Sequence, residues 1–136
     1  MLRAALVGLV ATGLLLDPSA VSAHHSFAAE YDAARPITLK GEVLRVDFVN
    51  PHGWLYVAVR DAKGRRETWN VEMGSPNSLI RRGFTKNSVP VGTEVVINGY
   101  RAKDGSRTVT GTNVTLADGR KLFTGSPGTG APDEKK

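Results

Sequence analysis

The chain has 136 residues, of which 40% are hydrophobic and 23% charged, with a net charge of +5 and no cysteine. It can therefore hold neither a disulfide nor a thiolate-bound metal, and packing alone must stabilise it. The positive excess is spread over Arg65-Arg66, Arg81-Arg82 and Arg120-Lys121, which read as solvated turns; acidic sugars or anionic lipid suit such a surface.

The first element is an export signal. Met1-Leu2-Arg3 carries one positive charge, Ala4 to Leu16 carries none, and Val21-Ser22-Ala23 places small residues at the cleavage site. A short basic start, an apolar run and a small-residue site are the pattern of a cleaved signal peptide. The run is shorter than the roughly 20 apolar residues a membrane span needs, and Asp17-Pro18 ends it. Cleavage after Ala23 is expected, with delivery to the periplasm, a mature start of His24-His25-Ser26-Phe27 and no remaining span. Export makes nucleic acid the least expected partner; an unknown periplasmic partner or a small ligand is expected instead.

The mature chain is long enough for one domain. Residues 24–36 show no clear period and end at Pro36, which reads as an N-terminal arm. Ile37, Leu39, Gly41 and Val43 then alternate with polar residues, and the alternation resumes in the other phase at Val46 and Phe48. Period 2 predicts a strand, and the phase change predicts a bulge near Leu44-Arg45. Asn50-Pro51-His52-Gly53 is a turn. Leu55, Val57 and Val59 mark strand two, with Trp54 and Tyr56 on its other face; Asp61 to Gly64 turns the chain into strand three, Trp69, Val71 and Met73.

Ser75-Pro76 reads as a helix cap followed by proline at the first helical position, and Gly83 as the helix end. Val95 and Ile97 lie on one face of strand four, with Val96 and Tyr100 on the other. Strand five runs from Val109 to Leu116, with Gly111 as a candidate kink. Lys121-Leu122-Phe123 is a candidate last short hairpin. Residues 124–136 are Gly, Pro, Ser and charge, and read as a disordered tail. One short helix between strands three and four of five predicts an all-β fold, a five-stranded OB-fold-like barrel over residues 37–123. An open β-sandwich is the rival.

HHSFAAEYD, NPHGWLYV, WNVEMGSPNSLIRRGFT, VGTEVVINGYRAKDGS and LADGRKLF stand in this order along the chain. Together they resemble a family of small exported bacterial proteins of unknown function, from about His24 to Phe123. The resemblance implies export and an OB-like domain. It brings no activity and no catalytic residues.

Three histidines are the candidate chemistry: His24, His25 and His52. Cleavage after Ala23 would free an α-amine on His24, which can chelate a metal together with its own imidazole Nδ1. His25 or His52 would supply a third nitrogen, and a nitrogen-rich tetragonal set suits Cu(II) best. This resembles, in ligand chemistry only, the histidine brace of copper proteins. Any peptide beginning with histidine binds some copper, so the plainer reading is a solvated terminus with His52 closing a turn. Glu30 and Asp32 are candidate oxygen ligands. Zinc catalysis has no matching ligand spacing, and no cofactor other than copper is suggested.

Glu72 is opposite in phase to Trp69 and Met73, which directs it to solvent or a groove, and nothing marks Glu72 and Asp47 as an acid/base pair. Ser75 lacks the surroundings of a nucleophile. Trp54 and Tyr56 are candidates for a ligand-binding strip. The leading expectation is a non-enzymatic periplasmic binding or accessory protein holding Cu(II). The alternative is an interaction module that binds a protein or saccharide at Trp54 and Tyr56. Copper-dependent oxidation ranks last, because the sequence shows no substrate groove.

Overall fold

The computed structural model describes residues 27–125; the expected signal peptide, His24, His25 and most of the expected tail lie outside them. A four-residue helix, α1 (Phe27–Glu30), leads directly into β1 (Tyr31–Asp47). β2 (Trp54–Arg60), β3 (Arg66–Glu72), α2 (Pro76–Arg81), β4 (Glu94–Ala102), β5 (Thr108–Leu116) and β6 (Lys121–Phe123) follow. The six strands form one sheet in the order β3-β2-β1-β4-β5-β6, with a further pairing of β3 to β5. All pairings are antiparallel except β3–β5.

Two expectations change here. Residues 27–36, expected within an arm, are helix and strand, because Tyr31 and Pro36 pair with Ala102 and Tyr100 of β4. Their side chains alternate poorly because the ladder shifts register between these two pairs. The count of strands is six instead of five: the candidate last hairpin forms, with Asn113, Val114 and Thr115 facing Phe123, Leu122 and Lys121.

β1 serves two neighbours. It pairs with β4 from Tyr31 to Glu42 and with β2 from Gly41 to Asp47. The bulge read from the phase change falls where expected, since Val43 faces Val57 while Arg45 faces Tyr56, leaving Leu44 over. An extra residue bends a strand and swaps its faces, so Val43 is buried, Leu44 is exposed, and Val46 packs against the core. A second bulge lies in β5, where Asn98 faces Asn113 but Gly99 faces Gly111, and Thr112 is the residue left over. The irregularity expected at Gly111 is thus this bulge. Gly99 lets the backbones approach, since a Cβ there would stand 2.1 Å from the Thr110 carbonyl oxygen, and a Cβ on Gly111 would stand 2.7 Å from Val71 Cγ1.

The main core is built from inward residues of every long strand, among them Leu39, Val43, Leu55, Val57, Trp69, Val71, Ile97, Val109 and Val114. Each fully buried aliphatic side chain there contributes about 1.5–3 kcal/mol. α2 closes one side of it through Leu79, which is fully buried. Ser75 caps α2 by accepting from the Ser78 N–H, and Pro76 takes the first turn, as the sequence predicts. Phe27, Tyr31, Tyr100 and Ala102 form a separate small cluster. Phe27 meets Tyr100 edge to face at 5.3 Å, which anchors α1 on the end of β4.

Candidate functional site

At one end of the sheet, α1, the turn at residues 49–52 and the β4–β5 hairpin surround an open cleft of about 630 Å³. Three polar side chains on three separate segments meet in its wall. Tyr31 opens β1, His52 stands in the turn before β2, and Glu72 ends β3. The Tyr31 hydroxyl donates to Glu72 Oε2, and His52 Nδ1 bonds Glu72 Oε1.

The backbone explains how they meet. Trp54 of β2 faces Glu72 of β3, and this ladder runs one step further, with the Met73 N–H donating to the Gly53 carbonyl at 2.8 Å. Gly53 also donates to the Gly74 carbonyl at 2.9 Å. His52, adjoining Gly53, is thereby held beside the end of β3. A Cβ on Gly53 would be 3.1 Å from Leu79 Cδ1, so the turn sits close against α2. Across the cleft, the Lys103 N–H donates to the Glu30 carbonyl at 2.8 Å, and Lys103 Nζ donates to the Ala28 carbonyl. These bonds fix α1 to the β4–β5 hairpin and bring Tyr31 over Glu72.

Glu72 lines the cleft, in keeping with its sequence reading as a solvent- or groove-facing residue. Its phase is outward, opposite to Val71 and Met73, but only 9% of it is exposed. Tyr31 and His52 cover it, and both come from segments distant in sequence. A carboxylate withdrawn from water is costly unless it is hydrogen-bonded, and here both oxygens have partners. The Tyr31 phenol is pushed far above its ordinary value, by burial first and then by its hydrogen bond to Glu72 and the negative charge there. It is thus a donor throughout the physiological range. Asp104, also in the cleft wall, is held below the usual carboxylate range by the Ser106 hydroxyl and N–H.

An ionised Glu72 would accept from both the Tyr31 hydroxyl and His52 Nδ1. Among the described residues Glu72 is the hydrogen-bond partner of His52, through Nδ1. A histidine whose one nitrogen donates to a carboxylate while the other carries the lone pair is the common arrangement of a metal ligand. The wall also carries the carboxylates of Glu30 and Asp104 against the single ammonium of Lys103. No group of three or more His, Cys, Asp or Glu side chains is placed to hold a metal ion among the described residues. A metal here would need ligands from outside them.

The remaining sequence candidates separate. Trp54 lines the cleft, half-buried, whereas the Tyr56 ring is covered by the Arg45 guanidinium at 4.1 Å and is not part of the cleft wall. The two do not make one strip. Asp32 accepts from the Ala34 N–H at 2.9 Å in a local turn, and Asp47 pairs with Arg45 at 3.0 Å. Glu30 lines the cleft. Sequence reasoning missed Tyr31 altogether and undervalued Glu72. The available signal was slight: an outward-phase glutamate at the end of a strand, directly before Met73-Gly74.

No helix among the described residues is long and apolar enough to cross a membrane. No curated protein and no solved structure matches the chain. Residues 13–113 match the model of a family of unknown function, DUF6152. With most of its length so matched, and with the cleft-forming residues Tyr31, His52 and Glu72 inside the match, the chain belongs to the DUF6152 family.

Proposed function

We propose that this protein is an exported, non-enzymatic binding or accessory protein of the periplasm that holds Cu(II) at the cleft end of its sheet. His52 Nε2 is one ligand; the α-amine and imidazole of His24, freed by cleavage after Ala23, are two more, and His25 is the alternative third nitrogen. The observation that carries the reading is the bond between His52 Nδ1 and the buried Glu72 carboxylate, which leaves Nε2 as the donor a metal would use. The start of the described chain is also near: Ala29 and Glu30 of α1 line the cleft, two and three residues after Phe27. Neutral imidazole and amine donors favour Cu(II) among the divalent first-row ions.

The fold is read as an OB-like barrel. Pairings β1–β2, β2–β3, β3–β5, β5–β4 and β4–β1 form a ring, and α2 lies between β3 and β4. This is the order expected of that barrel, with β6 added at the edge. The second reading, an interaction module for a protein or saccharide, keeps support from Trp54, whose half-buried ring stands in the cleft wall. It loses Tyr56 as a partner in the strip.

The test is calorimetric titration of Cu(II) into the signal-cleaved protein, a preparation with one extra N-terminal residue, and His52→Ala. One-to-one binding much tighter than that of a free His-His peptide, lost on extension and weakened by His52→Ala, is expected. Weak binding indifferent to both changes would overturn the copper reading and leave Trp54 and the cleft to another ligand.

A further inference from the structure

His52 is held through Glu72, and Glu72 in turn is held through Tyr31. We propose that Glu72 and Tyr31 are the positioning residues of His52: Glu72 holds His52 as the Nδ1–H tautomer, so that Nε2 is the metal-binding atom, and Tyr31 holds Glu72. This deepens the copper reading and rests on it for the identity of the ion.

Geometry on both sides of Glu72 carries the argument. A lone surface carboxylate beside histidine would be a loose ion pair of little consequence. Here the carboxylate side chain is 11% exposed and the His52 ring 18% exposed, and each carboxylate oxygen has its own partner. An ionised carboxylate only accepts hydrogen bonds. Both partners must therefore donate, and the imidazole can do so only from Nδ1. The Tyr31 hydroxyl occupies the second oxygen and prevents the carboxylate from rotating away from the ring. Tyr31 is itself anchored, in ring contact with Phe27 at 6.1 Å and by the pairing of its backbone with Ala102. The chain of contacts runs from β4 through Tyr31 and Glu72 to His52.

The arrangement is more than a packing solution. Were the purpose only to fill the end of the sheet, apolar residues at 31 and 72 would serve without desolvating a carboxylate. The double variant Tyr31→Phe/Glu72→Leu makes that substitution, removing the Tyr31–Glu72 pair together and leaving only His52 Nδ1, on a ring 18% exposed, without its acceptor. It is the main test because Glu72→Leu alone would strand the Tyr31 hydroxyl.

Two measurements decide. Long-range ¹⁵N–¹H spectra of the copper-free, signal-cleaved protein, in buffer alkaline enough for a neutral ring, read the tautomer directly. A wild-type His52 protonated at Nδ1, shifting to the Nε2–H form in the double variant, is the expected result. Cu(II) titration should then show the double variant binding roughly 10–100-fold more weakly, with an unchanged circular dichroism spectrum. Glu72→Gln, whose amide oxygen still accepts from Nδ1–H, should keep the tautomer and bind between the two. A wild-type ring protonated at Nε2, or a folded double variant that binds copper as tightly as the wild type, would overturn the proposal. A wild-type ring protonated at Nδ1 that binds copper no better than a His-His peptide would instead sink the copper reading, with the tautomer assignment intact.

Discussion

Tyr31 is the residue through which the cleft is wired to the rest of the molecule. Its phenol donates to Glu72 while its ring rests on Phe27. Because burial and the adjoining Glu72 raise the phenol above its ordinary value, the protonated form is the one the fold favours. Its contribution to stability is thus complete below the unfolded phenol's titration near about pH 10, and is lost as the pH rises from there toward the raised value. Ultraviolet titration should show a tyrosine component ionising only with alkaline unfolding, and Tyr31→Phe should reduce it. A variant that titrates like the wild type would show that another tyrosine is the protected one. Loss of the hydroxyl also leaves Glu72 Oε2 without its donor, which should cost about 1–3 kcal/mol in the denaturation midpoint.

At the scale of elements, two bulges and the close backbone approach at Gly99 decide how the strands curve. The β1 bulge at Leu44 lets one strand serve β4 along its first part and β2 along its last. It was legible because an inserted residue inverts the hydrophobic phase, and Val43 followed by Val46 records that inversion. The β5 bulge at Thr112 is less legible, since Thr110, Thr112 and Thr115 suit either face of a strand. Its partner Gly99 is the sharper probe. A Cβ there meets a backbone carbonyl carbon at 3.0 Å in addition to the oxygen, and backbone cannot swing aside as a side chain can. Gly99→Ala should destabilise by about 1–3 kcal/mol or more in urea unfolding. Gly64→Ala, at a turn with open space around its Cβ, is a control limited to the cost of its positive φ of 77°. Equal losses in the two variants would argue against close approach as the cause. Helix α2 was legible down to its cap, because Ser-Pro and the following Gly83 act on the backbone locally, with no help from tertiary contacts.

For the molecule as a whole, the small cluster of Phe27, Tyr31, Tyr100 and Ala102 joins the start of the described chain to the cleft end of the sheet. Phe27→Ala should cost about 3–5 kcal/mol, the usual figure for a buried phenylalanine. If the mature N-terminus serves the cleft, the same substitution should weaken Cu(II) binding by releasing α1, while leaving the Nδ1–H tautomer of His52 largely intact. Copper affinity unchanged in the folded Phe27→Ala protein would place the N-terminal histidines outside the site. The strand pairing of residues 27–36 escaped the sequence for a reason of this scale. Their apolar residues are too few and too irregular to show a period, and they are ordered by β4, which lies far along the chain.

The sequence by itself determined what local chemistry governs: a mostly β chain with one capped short helix, the β1 bulge, the turns, a core containing Trp69, Val71 and Met73, and the candidacy of His52. These follow from periodicity, turn residues and caps, which act over a few neighbouring residues. Only the tertiary structure decided that Tyr31 and Glu72 join His52 in one cleft wall, that Tyr56 lies under Arg45 and not beside Trp54 in a strip, and that an outward-phase glutamate is buried. Each depends on which distant segments pack over a given face. Strand phase says which way a side chain points, but what covers that face is set by contacts spanning 20 to 41 residues along the chain, beyond the reach of any local pattern.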